Sequence, residues 1–203
     1  MANSPAADDA ALVARARQGD REAFTELVTH YQVPLYNMAL RMVGSADDAA
    51  DIAQEAFLRA WEKLRTLRGN PFKPWLFQIA VNLCYDHFRR GKKIAAMPEE
   101  GQEAHVVSLG LPVPDPAERA EAGERNRIVR ESINGLDPDL RAALILRDIN
   151  GLAYEEIAAV IRAPLGTVKS RIARARAHVQ ERLLLHPELF ARRAPEEEGR
   201  HER

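Results

Sequence analysis

The chain has 203 residues, 29% of them charged and 46% hydrophobic, and a formal net charge of −1. That length holds one domain or two small ones, and the composition excludes a disordered or fibrous chain. No apolar run approaches the roughly 18 residues of a membrane span, and the N-terminus lacks a charged-then-apolar leader, so no membrane insertion is expected. The lone Cys84 allows neither an internal disulfide nor a thiolate metal cluster, which suits a reducing cytoplasmic setting.

Taken in chain order, nearly every readable period is helical. Residues 10–18 form a short first helix. Asp20 can cap a second, which buries Phe24, Leu27, Val28 and Tyr31. Pro34 is expected to start a new helix carrying Leu35, Met38, Ala39 and Met42, ended by Gly44. Ser45 followed by Asp48 resembles a capping box and opens a long helix that aligns Ile52, Ala56, Arg59 and Lys63. "RGNPFKP", with its glycine and two prolines, breaks that helix, and residues 75–90 resume one with Leu76, Ile79, Leu83 and Phe88 inward.

Residues 94–116 show no period and carry four prolines, a linker composition whose 23 residues span at most about 75 Å. Beyond it, residues 117–133 read as a charged amphipathic helix. Asp137-Pro138 starts another that runs to about Ile149, residues 154–161 form a short one, and residues 166–185 a longer one. The expected fold is all-α: two small helical domains joined by a flexible linker, the second containing a helix-turn-helix. Their bounds are residues 1–93, linker 94–116, residues 117–190, and a disordered tail at 191–203.

The near-neutral total conceals blocks. Residues 67–93 and 162–182 each carry a net +5, between acidic blocks of −3 over 1–66 and −7 over 94–161. Charge alone fits two contacts with a polyanion or two solvated faces. The second block decides between them. "YEEIAAVI" is a short helix, "RAP" a tight turn, and the basic helix follows at once. On that helix Val168, Ile172, Ala175, Val179 and Leu183 share one arc with Leu165, while Thr167, Ser170, Arg171 and Arg174 lie opposite and Lys169 and Arg176 flank the arc. A helix with one apolar face and polar groups at its start is what a helix-turn-helix inserts into the major groove.

"LDPDLRAALILRDINGLAYEEIAAVIRAPLGTVKSRIARARAHV" resembles the fourth conserved region of bacterial sigma factors, and "GTVKSR" points to the extracytoplasmic-function group. "DAADIAQEAFLRAWEKL" followed by "FKPWLFQIAVNLCYDHFRR" resembles that group's second conserved region. The resemblance covers most of residues 20–185 and implies an RNA polymerase sigma factor that recognises minus-10 and minus-35 promoter elements.

By this resemblance Thr167, Lys169, Ser170, Arg171, Arg174 and Arg176 contact the minus-35 element. Arg68, Asn70, Phe72, Asn82, His87, Arg89, Arg90, Lys92 and Lys93 contact the minus-10 element and the opened strand. Asp48, Asp51, Gln54, Glu55 and Arg59 dock on core polymerase. The implied partners are the β′ clamp helices and β flap of core RNA polymerase, promoter DNA and an anti-sigma factor. Two departures from the family pattern stand out: Arg162 replaces a common turn glycine, and Ala153 a common capping serine. They predict a strained left-handed turn and a lost cap worth about 1 kcal/mol.

An enzyme is disfavoured: the six histidines are scattered, no phosphate-cradling glycine loop occurs, and neither H-E-x-x-H nor G-x-S-x-G is present, so no cofactor is implied. A free-standing helix-turn-helix regulator would leave the acidic helix and the first basic block without a role.

Overall fold

The computed structural model describes residues 5–67, 71–94 and 116–190, and these are helix and turn without a strand. The first unit comprises α1 (Pro5–Arg17), α2 (Arg21–Val43), α3 (Ala46–Lys63), a 3-10 turn (Leu64–Thr66) and α4 (Phe72–Ile94). The second comprises α5 (Pro116–Asn134), α6 (Pro138–Leu144), a π turn (Ile145–Ile149), α7 (Tyr154–Ile161), α8 (Leu165–Leu183) and α9 (Pro187–Phe190). The all-α expectation and the helix-turn-helix placement agree with this architecture. The expected linker and tail fall mostly on residues outside the described ones.

Helix ends follow local chemistry. The Asp20 carboxylate accepts the Ala23 N–H at 3.1 Å, and Ser45 Oγ accepts the Asp48 N–H at 3.3 Å, so these two expected N-caps are formed, whereas the Asp137 side chain, also expected to cap, makes no cap hydrogen bond. Gly44 ends α2 with φ 84°, a left-handed conformation in which its N–H reaches Leu40 O. Tyr31 donates to Asp9 and ties α1 to α2.

Pro34 corrects one expectation. α2 runs through it unbroken from Arg21 to Val43. A proline in a helix interior typically costs about 3 kcal/mol because it removes one hydrogen bond and crowds the preceding turn. Here Leu27 lies on one side of it and Leu35, Met38, Ala39 and Met42 on the other, all fully buried. That shared burial holds both halves on one axis. The helix after Asp137 likewise covers the expected length, but its last five residues widen into a π turn.

In the first unit α3 turns Ala49, Ala53, Ala56 and Ala60, with Ile52, onto α2 and α4. Such small side chains let helix axes approach closely. Leu76, Phe77, Ala80, Val81 and Cys84 of α4 complete this core. In the second, Val168, Ile172 and Ala175 of α8 pack on α6 and α7. The two units also pack on each other: α4 lies against α7, and α2 against α5, α6 and the π turn.

Candidate nucleic-acid interface

The turn between α7 and α8 sets the geometry of the second basic block. Ala153 has no side-chain oxygen to cap α7, but its own N–H donates to the Glu156 carboxylate at 2.7 Å, so half of a capping box survives. α7 ends at Arg162, which takes φ 51° and ψ 50°, the left-handed conformation expected of the missing glycine. Ala163 N–H then bonds Ala158 O at 3.1 Å, and α8 begins at Leu165 directly after Pro164. No side chain caps α8, its first turn holds no acid, and a Cβ on Gly166 would meet nothing within 4 Å. Its leading N–H groups thus have no side-chain cap.

Along α8 Val168, Ile172 and Ala175 of the expected apolar arc are buried, Val179 and Leu183 are half-buried, and Leu165 at its start is exposed. Lys169 and Arg174 are exposed, and Thr167 and Ser170 half-buried, with Ser170 Oγ donating to Thr167 O at 2.9 Å. Arg171 pairs with Asp139 of α6. Thr167, Arg171 and Arg174 line one cleft of about 710 Å³, whose other walls include Asp139 and, from α4, Tyr85, Phe88 and Arg89. Burial and the neighbouring Asp139 carboxylate raise the Tyr85 phenol above its usual range.

Arg176 departs from its expected place on this surface. It grips Asp148 of the π turn with two nitrogens, Nε at 2.9 Å from Oδ2, and lines a different depression. Two residues beyond Arg174 on a helix is a rotation of about 200°, so the two guanidiniums cannot share a face. Arg176 braces α8 against the π turn.

The first basic block is held by α4. Phe72 corrects the expectation of a base-contacting ring: it is 3% exposed and packs against Tyr31 and Trp75, with centroids 5.6 and 5.9 Å away. A phenyl ring at the foot of a helix is stabilised more by core packing than by exposure to solvent. Asn82 is half-buried, Arg90 exposed, and Arg89 pairs with Asp86 one turn away. His87 Nδ1 lies 3.7 Å from Asp48 Oδ1, joining a residue expected on DNA to one expected on polymerase. Arg68 and Asn70, and the side chains of Lys92 and Lys93, lie outside the described residues.

On α3, Asp51 and Gln54 are exposed, and Arg59 Nε bonds Glu55 Oε1 at 2.6 Å. Leu58, 53% exposed, and Trp61, tilted against Phe24 with centroids 4.9 Å apart, continue that outer face. The spacing 51, 54, 58, 61 places them on the same helix face as the residues expected to dock. A second overlooked feature is an apolar groove of about 610 Å³ in the second unit, lined by Ile133, Leu144, Ile149, Val179, Leu184 and Phe190 among others. Its lining comes from α5, α6, the π turn, α8 and α9, so no single stretch announces it.

Comparison with known proteins matches this geometry to two profiles, Sigma-70 region 2 over residues 27–94 and Sigma-70, region 4 over residues 126–179. The ECF RNA polymerase sigma-E factor of Haemophilus influenzae is 36% identical over 86% of this chain and 95% of its own length. The RNA polymerase sigma-H factor of Pseudomonas aeruginosa is 38% identical over 86% and 93%. Among solved structures, CnrH in complex with the cytosolic domain of CnrY superposes with a TM-score of 0.66 at 28% identity, covering 88% of this chain and 99% of that one. The sigma factor RpoE in complex with the anti-sigma factor NepR from Bartonella quintana gives 0.65 at 27%, covering 80% and 98%. With both regions in order and relatives matched over nearly their full length, the chain belongs to the extracytoplasmic-function sigma factors, non-enzymatic subunits that direct RNA polymerase to start transcription at specific promoters.

Proposed function

We propose that the two units divide promoter recognition between them: residues 1–93 dock on core polymerase and hold the opened minus-10 element, and residues 117–190 read the minus-35 element, with 94–116 as the connection. The observation that carries this reading is the start of α8. An uncapped, acid-free helix N-terminus accepts a phosphate through its N–H groups and dipole, which fixes the helix in register on the duplex. Lys169 then adds a phosphate contact. Arg174, exposed and without a carboxylate partner among the described residues, presents the two-pronged donor that suits guanine, and Thr167 and Ser170 supply hydroxyls for bases or phosphates. Arg171 joins them from its pairing with Asp139.

On α4, Asn82 is the amide placed to read an unstacked base, and His87, Arg89 and Arg90 hold the separated strand's phosphates, with Lys92 and Lys93 beyond them. Capturing bases and phosphates of the open form is how a protein without an ATPase favours strand separation. Asp48, Asp51, Gln54, Glu55 and Arg59, extended by Leu58 and Trp61, make the surface for the β′ clamp helices. The apolar groove beside α9 suits an amphipathic helix, the contact assigned to the β flap. Sequestration by an anti-sigma factor is part of this reading, supported by the complexed relatives, and so is a cytoplasmic site of action. No described helix is long and apolar enough to cross a membrane.

The test is transcription with purified core polymerase on a promoter library. Specific start sites that require the added chain, and lose minus-35 dependence with Arg174→Ala, are expected. Specific duplex binding by the chain alone, unchanged by core polymerase, would favour an independent regulator instead.

A further inference from the structure

The π turn reaches both helices of the helix-turn-helix. Its closing bond, Asn150 N–H to Ile145 O at 3.0 Å, takes up one residue more than an α-helical bond. Successive residues on a helix project roughly 100° apart, so Arg147 and Asp148 serve different neighbours. On the α7 side, Leu152 N–H donates to Leu146 O at 3.0 Å and Arg147 Nη1 donates to Leu152 O at 2.8 Å. The Arg147 guanidinium also lies 4.8 Å from the ring centroid of Tyr154, the first residue of α7. On the α8 side, Asp148 accepts Arg176 Nε at 2.9 Å and Arg176 Nη2 beside it. The Asp148 carboxylate, and to a lesser extent Tyr154, holds the Arg176 guanidinium above its ordinary range.

The turn between α7 and α8 is poorly equipped to set their angle alone. Arg162 occupies a left-handed conformation that strains any residue with a Cβ, and no side chain caps α8. A second fixed point on α8 is needed to direct its axis. Arg171 is itself assigned to the duplex, so its pair with Asp139 is given up on binding. Arg176 lies about 16 Å along the helix from Leu165, on the side away from Arg174, and its pair with Asp148 is left intact by DNA. A recognition side chain has to be held within roughly 0.5 Å of its productive place by the residues behind it.

We propose that Arg147, Asp148 and Arg176 form a clamp that fixes the tilt of α8 against α7, and that they are positioning residues for minus-35 reading, acting through Thr167 and Arg174 without touching a base. This rests on the assignment of Thr167 and Arg174 to the minus-35 element. Without the clamp α8 still enters the groove, held by its N-terminus and Lys169, but the Arg174 fork no longer meets one base pair in register. Phosphate affinity is then largely kept while base discrimination is lost.

The test uses the full chain with core polymerase on promoters that differ by single base pairs in the minus-35 element, and on one that needs no such element. Discrimination is the ratio of output from the intact element to output from a substituted one. Arg147→Met keeps the side-chain length and removes the donor, and Arg147 lines neither the cleft beside Arg174 nor the apolar groove. It is expected to lower discrimination about fivefold, part of what one bidentate contact supplies, with helicity and output from the element-free promoter unchanged. Arg176→Asp is expected to lower discrimination as well, and Asp148→Arg/Arg176→Asp, which rebuilds the pair reversed, to restore most of it. Unchanged discrimination in Arg147→Met overturns the clamp. No recovery in the reversed pair overturns the positioning role, since Arg176 would then act on DNA directly. Lost helicity of Arg147→Met at the assay temperature overturns it too, in favour of a purely structural contact. Failure of the underlying reading is seen separately: Arg174→Ala would then leave discrimination intact.

Discussion

Arg171 of α8 pairs with Asp139 of α6, and its side chain retains only 22% exposure. Its neighbour on the same face, Arg174, has no such tether among the described residues. One guanidinium is thus held by a carboxylate and the other is not. Truncating Arg174 to alanine is expected to cost about 1–3 kcal/mol of discrimination at one base pair. It should do so only at promoters that need a minus-35 element. Run-off transcription on matched templates with and without that element measures this, and a uniform loss across templates would refute base reading.

Arg162 gives a stability prediction. A residue with a Cβ at φ 51° is strained by about 1–2 kcal/mol, and glycine relieves most of that at the expense of a more mobile unfolded chain. Arg162→Gly should stabilise the chain by about 1 kcal/mol, read as a raised urea midpoint. Ala153→Ser, which supplies the missing cap oxygen to the α7 N-terminus, should add a similar amount.

For the docking face, Asp51→Lys combined with Leu58→Asp should leave helicity and melting temperature nearly unchanged, because both side chains are solvent-exposed. Association with core polymerase should fall at least tenfold, followed by copurification or fluorescence anisotropy. Intact association would remove α3 as the docking surface.

Salt separates phosphate contacts from base contacts in the first unit. Binding of a fork-junction DNA should weaken steeply with ionic strength. Arg90→Ala should lower the slope of log K against log salt by about 0.7, the value for one single-strand phosphate contact. An unchanged slope would mean that Arg90 holds no phosphate.

Cys84 gives a pH dependence with a definite sign. Burial pushes its thiol from an ordinary value near 9 up to about 12, so the folded chain keeps a proton that the unfolded chain releases. Stability from this group is fully present below about pH 9 and declines as pH rises toward 12, by up to about 1.4 kcal/mol per pH unit. Cys84→Ala should lessen that decline between about pH 9 and 10, leaving in place the decline of the same sign that the raised Tyr31 and Tyr85 phenols contribute there. Urea titrations at both pH values measure it.

Helix positions and the helix-turn-helix were readable from the sequence because period, caps and turn residues agreed there. Asp20, Ser45 and Gly44 all stand at the ends that their chemistry predicts. Pro34 misled because its local preference for a helix start is outweighed by burial on both sides of it, which no local rule weighs. Phe72 misled in a similar way, since an aromatic beside a loop is equally suited to a base and to Tyr31. The role of Arg176 depended on Asp148, far away in the chain and on a turn of unforeseen pitch. Packing of the two units was illegible for a different reason: its polar bridges, from Lys73, Gln78 and Arg141, end on backbone carbonyls, which every residue possesses.

The alanine face of α3 has a mechanical consequence. Ala49, Ala53, Ala56 and Ala60 have no rotamers with which to absorb a displacement, so a push on the outer side of that helix is not cushioned beneath it. Whatever grips Asp51 and Leu58 therefore moves α3 as a stiff strut, and its neighbour α4 moves with it, carrying Asn82 and Arg90.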